Sequence, residues 1–213
     1  MLKMAPSNPP VADQADNLQS EIAFRASLQE ISNKIHAANN LDEILIDLKN
    51  EIITLFAAQR LTVYVIDGVK RELVSRFKSG QEIAEIRIPV SAKSVAGYAA
   101  YYQRLVNIKD VYNENELKSL DANLSFDSSW DQKTGFRTRQ VLAFPIVFQK
   151  YLLGAIQLIN HKDNKPFTAD DEQAVQELAK TIGIALYNQK RMAKGNRSGK
   201  FDYLLELHLL TQK

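Results

Sequence analysis

The side chains able to do covalent or metal chemistry are few. The chain's 213 residues contain no cysteine, which removes disulfides, thiolate zinc sites, thiol nucleophiles and thioether-linked chromophores together. The three histidines, His36, His161 and His208, are far apart, so the spacing of a histidine-rich metal site is missing. His161 has Asp163 and Asp171 near it in sequence, and a carboxylate can orient a histidine base. No Gly-x-Ser-x-Gly elbow accompanies it, and there is no Gly-Lys-Ser/Thr phosphate cradle. No catalytic residue is assigned, and a non-enzymatic role is expected.

What remains is the chemistry of binding. Arg137 and Arg139 are two apart, which puts both on one face of a strand. There they can meet a phosphate, or be a solvated pair. Ser94-Val95-Ala96-Gly97 is a small-residue helix start able to present backbone N–H groups to an anion; an ordinary cap accounts for it as well. Phe126, Trp130 and Phe136 fall where no regular period survives, and aromatic rings with a few polar groups are what small-molecule pockets use. The alternative is a lid that packs its aromatics on a core.

Composition excludes several partner classes. Apolar residues make up 45% and charged residues 24%, an ordinary globular mixture. Lys plus Arg number 27 against 25 Asp plus Glu, a net charge of +2, so no field for nucleic acid is expected. The longest apolar run, Tyr151 to Ile159, is broken by Gly154 and Gln157 and falls well short of the roughly 20 residues of a membrane span. A cytoplasmic chain without membrane insertion is expected.

Periodicity shows which elements must position the binding groups. Residues 1–16 carry three prolines and are read as a disordered lead. Phe24, Leu28, Ile31 and Ile35 fall on one helical face. Asn40, with Glu43 three residues on, is a start signal for a second helix. Leu61 to Asp67 alternates at period two, and Asp67-Gly68 turns the chain into a returning strand, Glu72 to Phe77. A shorter strand over Ile83–Pro89, a helix over Ser94–Gln103 and a brief strand over Leu105–Ile108 follow. Asp110 to Arg139 lacks a period and is read as a functional lid. Gln140–Phe148 and Leu152–Asn160 are apolar strands, with Pro145 requiring an edge or a bulge. Thr168 and Asp171 box the start of the last helix. The pattern divides the chain into a lead (1–16), one domain with flanking helices (17–192), a linker (193–199) and the start of a following domain cut short (200–213).

These residues also carry a resemblance. Ser94-Val95-Ala96-Gly97-Tyr98-Ala99 with Leu105-Val106-Asn107-Ile108-Lys109-Asp110 is similar to the central motif of GAF domains. So are Thr134-Gly135-Phe136-Arg137-Thr138-Arg139 with Val141–Ile146, and Leu153–Asn160 with Pro166-Phe167-Thr168. The resemblance spans about Leu41 to Gln189. It implies an α+β fold with an antiparallel sheet of about six strands, helices packed on one face, and long N- and C-terminal helices. Asn160, Phe167, Asp171 and Glu172 also match the Asn-Lys, Phe, Asp-Glu motif of GAF domains in cyclic-nucleotide phosphodiesterases and cyclases, with His161 at the Lys position. In that family the Lys pairs with the Asp and clasps the last strand to the last helix. His161 would do so only when protonated, with an unperturbed pKa of about 6.5.

The resemblance implies a regulatory sensor for a cyclic nucleotide or another small ligand, and a non-binding dimerisation and docking module is the alternative. The candidate ligand-binding residues are Phe77, Val95, Tyr98, Phe126, Trp130, Phe136, Arg137, Arg139 and Phe144, with Asn160, His161, Phe167 and Asp171 as a structural clasp. A homodimer through the helices Leu18–Ala38 and Ala169–Arg191 is expected. The final residues faintly resemble the start of the N-terminal domain of type II secretion and pilus assembly ATPases, so such an effector is an expected downstream partner.

Overall fold

The structure, a computed structural model, describes residues 11–75 and 85–195, without the side chains of 11–17, 42 and 193–195. Phe77, part of the expected third strand and the whole of 196–213 lie outside the described residues. The elements are α1 (Val11–Ala37), α2 (Leu41–Leu55), β1 (Ala58–Asp67), β2 (Glu72–Ser75), β3 (Arg87–Pro89) and α3 (Val95–Tyr102). They continue with β4 (Val106–Ile108), α4 (Glu114–Leu120), α5 (Ser129–Thr134), β5 (Val141–Phe148), β6 (Tyr151–His161) and α6 (Ala169–Gly195).

Six antiparallel strands form one sheet in the order β3-β2-β1-β6-β5-β4. The central pair, β1 and β6, joins the two ends of the domain. β1 starts at Ala58, earlier than its alternation suggests, because Ala58 and Arg60 already pair with His161 and Ile159. Pro145 is tolerated as expected. β4 reaches only from Val141 to Ala143, so the missing N–H of Pro145 faces no neighbour, and the register slips just after it, at Ile146/Val147.

The alternation of β1 separates two layers. Leu61, Val63 and Val65 join Ile156 and Leu158 beneath α1, α2 and α6, which supply Leu28, Ile31, Ile52, Leu178 and Ile182. Burying each such side chain contributes about 1.5–3 kcal/mol. On the other face, α3 and the segments around it cover Tyr64, Val141, Ala143 and Ala155. Gly154 lets β1 and β6 meet, since a Cβ there would collide with the Tyr64 carbonyl oxygen. Gly97 does the same for α3, where a Cβ would lie 2.6 Å from the Pro89 carbonyl oxygen.

Two segments differ from the sequence reading. α1 begins at Val11, inside the expected disordered lead. Val11-Ala12-Asp13-Gln14-Ala15 follows Pro9-Pro10, and a proline just ahead of good helix formers favours a helix start. The lid holds α4 and α5, of 7 and 6 residues. Both are too short and polar to show a period. α4 depends on Asn113, whose Oδ1 accepts from the N–H groups of Asn115 and Glu116.

Candidate functional site

A cavity of about 360 Å³ lies on the α3 face of the sheet, within the size range of small-molecule sites. Its floor is the β1–β6 ladder, where Arg60 pairs with Ile159, Thr62 with Gln157 and Tyr64 with Ala155. One wall is β3 and the start of α3, where the Ser94 hydroxyl caps the helix by accepting from Gly97 N–H at 3.2 Å. The roof is the lid, with Phe126, Trp130, Asp131 and Thr138 facing the space.

The lid is latched at both ends. Ser125 donates through its N–H (3.4 Å) and hydroxyl (3.1 Å) to the Lys93 carbonyl beside α3. Asp131 on α5 accepts from Thr138 N–H at 2.7 Å, Thr138 hydroxyl at 2.8 Å and Tyr112 hydroxyl at 2.9 Å. Asp127 accepts from the N–H and hydroxyl of Ser129 at 2.9 and 3.0 Å. Those bonds favour its ionised form and hold its carboxyl below the usual range.

The cationic groups differ in their commitments. Arg87 binds Asp67, Glu72 and Glu85 at 2.7–3.1 Å, and these bonds hold its guanidinium firmly charged. Arg60 instead lies over the Phe136 ring, 3.4 Å from its centroid, a cation–π stack. Crowding by its surroundings lowers the Arg60 pKa, and nearby Asp131 opposes that shift. On the floor, burial pushes the Tyr64 phenol well above its ordinary value against a smaller opposing pull from Thr62, so Tyr64 stays neutral.

The sequence-predicted ligand residues divide sharply. Val95, Phe126 and Trp130 line the cavity. Phe136 sits beneath Arg60 at its margin. Arg137 and Arg139 share a face as expected, but it is the outer one. Both are exposed, with Thr138 between them buried and turned to the cavity. The Asp131 latch on Thr138 sets that alternation, and Arg137 lies over Tyr112 at 4.3 Å. Tyr98 is buried in the cluster behind α3, its hydroxyl donating to the Leu120 carbonyl at 3.4 Å. Phe144 packs on the opposite, three-helix side, because β5 alternates. Arg60, Thr62, Tyr64 and Gln157 also line the cavity and are not among the sequence candidates. Their signal was a polar pair, Thr62 and Gln157, on strands that are otherwise apolar.

The four residues expected as a clasp make other contacts. Asn160 Oδ1 accepts from the N–H groups of Arg139 (2.7 Å) and Gln140 (3.1 Å), while Nδ2 donates to the Arg137 carbonyl (2.8 Å) and Gln59 Oε1 (3.1 Å). It therefore straps β6 to the segment before β5 and to β1. Asp171 is drawn back to the helix start, accepting from Thr168 N–H at 2.7 Å and Thr168 hydroxyl at 2.9 Å. His161 does not pair with it among the described residues. Its Nδ1 accepts from Asp163 N–H at 3.2 Å, and its ring meets buried Phe167 edge-on. Glu172 reaches the sheet instead, accepting from Asn107 Nδ2 at 2.7 Å on β4, and that same Nδ2 donates to the Phe167 carbonyl at 3.0 Å. Among the described residues there is no group of side chains able to hold a metal ion and no helix long and apolar enough to cross a membrane.

The GAF domain family model matches residues 40–186. The chain is 26% identical over 198 residues to the probable 3',5'-cyclic phosphodiesterase pde-5 of Caenorhabditis elegans, covering 86% of this chain and 25% of that protein. It is 26% identical over 187 residues to the dual 3',5'-cyclic-AMP and -GMP phosphodiesterase 11A of Takifugu rubripes, covering 82% of this chain and 19% of that protein. The chain thus spans a quarter or less of the length of these relatives. Among solved structures, the GAF domain of a phosphoenolpyruvate-protein phosphotransferase from Coxiella burnetii superposes with a TM-score of 0.65 at 19% identity, over 81% of this chain and 96% of that one. Free methionine-R-sulfoxide reductase from Neisseria meningitidis, in complex with its substrate, gives 0.64 at 16% identity, over 90% and 98%. At these identities the structures share the fold alone. With the family match covering most of the chain and the sheet, lid and helices arranged as described, this chain belongs to the GAF domain family.

Proposed function

We propose that this GAF domain is a cytoplasmic regulatory sensor that binds a small anionic ligand of the cyclic-nucleotide kind in the lidded cavity and passes its occupancy to an effector. The carrying observation is the cavity itself: strand-floored, walled by a capped helix start and roofed by a latched aromatic lid. The domain works by binding, not by catalysis. Occupancy bears on the lid, and the segment 137–140 ties the lid to β6 through Thr138 and Asn160. Gln140 extends the tie, accepting from His161 N–H and donating to the Asn164 carbonyl, both at 3.0 Å. The chain then enters α6, a rigid element able to carry a small rotation outward. The effector, for which a secretion or pilus assembly ATPase is one form, must then have unequal affinity for two states of α6. The domain acts as a homodimer, supported by Leu18 and Ile22, one turn apart on α1 and 58% and 60% exposed.

The test is a thermal melt against a panel of cyclic mono- and dinucleotides and other small metabolites. A ligand at a hundred times its dissociation constant adds about 2.7 kcal/mol, a rise of roughly 5–10 °C at this size. A rise of that order for one compound is expected. A flat response across the panel would sink the sensor reading and favour a docking module.

A further inference from the structure

We propose that the cavity floor reads an anionic heterocycle through two side chains that no described residue engages by hydrogen bond or ion pair, Arg60 for the anion and Gln157 for a neighbouring donor–acceptor edge. The inference rests on the cavity being a ligand site.

The charged groups around the cavity differ in what they leave open, and exposed Lys93 on its wall is a further cation there. Arg87 is neutralised by three carboxylates. Both oxygens of Asp127 are taken by Ser129, and both oxygens of Asp131 by Thr138 and Tyr112. Arg60 has only the Phe136 stack. Stacking uses the face of a guanidinium and leaves its edge of five N–H donors open. Asp127 and Asp131 keep their charge, but their oxygens are engaged within the lid, so the open edge of Arg60 offers a negative group charge-assisted hydrogen bonds.

Gln157 adds a second requirement. It is half-buried at the centre of the floor, opposite Thr62, and its carboxamide makes no hydrogen bond among the described residues. A ligand lying over it strips its water, so an apolar surface there would leave it unmatched at a cost. A carboxamide presents a donor and an acceptor side by side, which matches the lactam of guanine or the amidine of adenine in two parallel bonds. Arg60 pairs with Ile159, two residues along β6 from Gln157, so the two readers are diagonal neighbours about 7–8 Å apart at the backbone. One small molecule can therefore reach both, with its ring under Phe126 and Trp130. Cyclic mononucleotides carry both features, whereas nucleosides lack the anion.

Trp130 is the sole tryptophan and lines the cavity, so its fluorescence can report titration of the full chain. The probes are cyclic AMP, cyclic GMP, adenosine and guanosine. At least one cyclic nucleotide is expected to bind about tenfold or more tighter than its nucleoside. Arg60→Met should reduce that preference severalfold, with the nucleotide losing more affinity than the nucleoside, and Arg60→Lys should restore part of it. Gln157→Leu should weaken nucleotide and nucleoside alike by about tenfold. If Arg60→Met fails to fold, the wild-type preference decides, because it must shrink as salt rises. Equal binding of nucleotide and nucleoside, a preference indifferent to Arg60 or to salt, or no response to any of the four probes overturns the inference. The ligand-site reading falls separately, only if the wider melting panel is also flat.

Discussion

Asn160 shows how much one residue can bind together in this fold. It closes β6 in the left-handed region, at φ 53°, which Asn adopts more readily than most residues. Its amide makes two bonds as acceptor and two as donor, to two separate segments, 137–140 and β1. Asn160→Gly should keep the backbone and lose the bonds, at about 2–4 kcal/mol in urea unfolding. Asn160→Ala should lose the bonds and add backbone strain, about 1 kcal/mol further. Equal midpoints for the two variants would show that the strain is absent. The sequence motif singles out Asn160 but not its partners, three backbone groups and the Gln59 side chain brought in by tertiary pairing. Arg137 and Arg139 were legible as sharing a face. Which face that was depended on the Asp131 latch, a contact between residues whose spacing carries no signature. Gln157 and Arg60 were illegible as a pair because β1 and β6 meet only across the folded sheet.

Elements with a strong period are legible in the sequence, and weakly periodic ones are not. α2, the β1–β2 hairpin, the β5–β6 hairpin and the Thr168–Asp171 box follow from spacing and turn chemistry. In α2 the expected cap is present, Glu43 N–H donating to Asn40 Oδ1 at 3.5 Å. The lid helices α4 and α5 escaped because tertiary bonds hold them, not an apolar stripe. α1 is instructive in a different way. Its apolar stripe, Leu28, Ile31 and Ile35, enters the chain's own core, so among the described residues of α1 the large apolar side chains left exposed for a second copy are Leu18 and Ile22. If α1 mediates dimerisation, Leu18→Glu with Ile22→Glu should give a monomer at tens of micromolar by sedimentation, with helicity and ligand response retained. Surface changes of this kind cost within about 0.5 kcal/mol in the fold itself. A monomeric wild-type chain at that concentration, or a dimer indifferent to both substitutions, would remove α1 from the interface.

At the scale of the whole molecule, the first and last helices run side by side on the three-helix face, joined by an Arg25–Glu177 pair at 3.2 Å. That pair is half-exposed and contributes little to stability, so the layer is held by its apolar face. The cavity lies across the sheet from it, which makes the floor strands the shared wall of the core and the site. Tyr64 belongs to that wall: it is 3% exposed, packs with Ala96, Ala100 and Ala155, and lines the cavity. Burial raises its pKa in the folded chain, while the unfolded chain's phenol titrates at about 10. Above that pH the unfolded chain sheds a proton that the folded chain keeps, so stability must fall as pH rises. Tyr64→Phe should therefore unfold on a shallower alkaline limb than wild type, by about 1.4 kcal/mol per pH unit above pH 10, and match its pH dependence near neutrality. Parallel curves through the alkaline range would mean that the phenol is not buried in solution. A divergence would establish that the phenol is buried and stays uncharged well into the alkaline range. The floor would then add no negative charge of its own, and the free edge of Arg60 would be its one charged contribution, beside Lys93 on the wall and Asp127 and Asp131 in the lid.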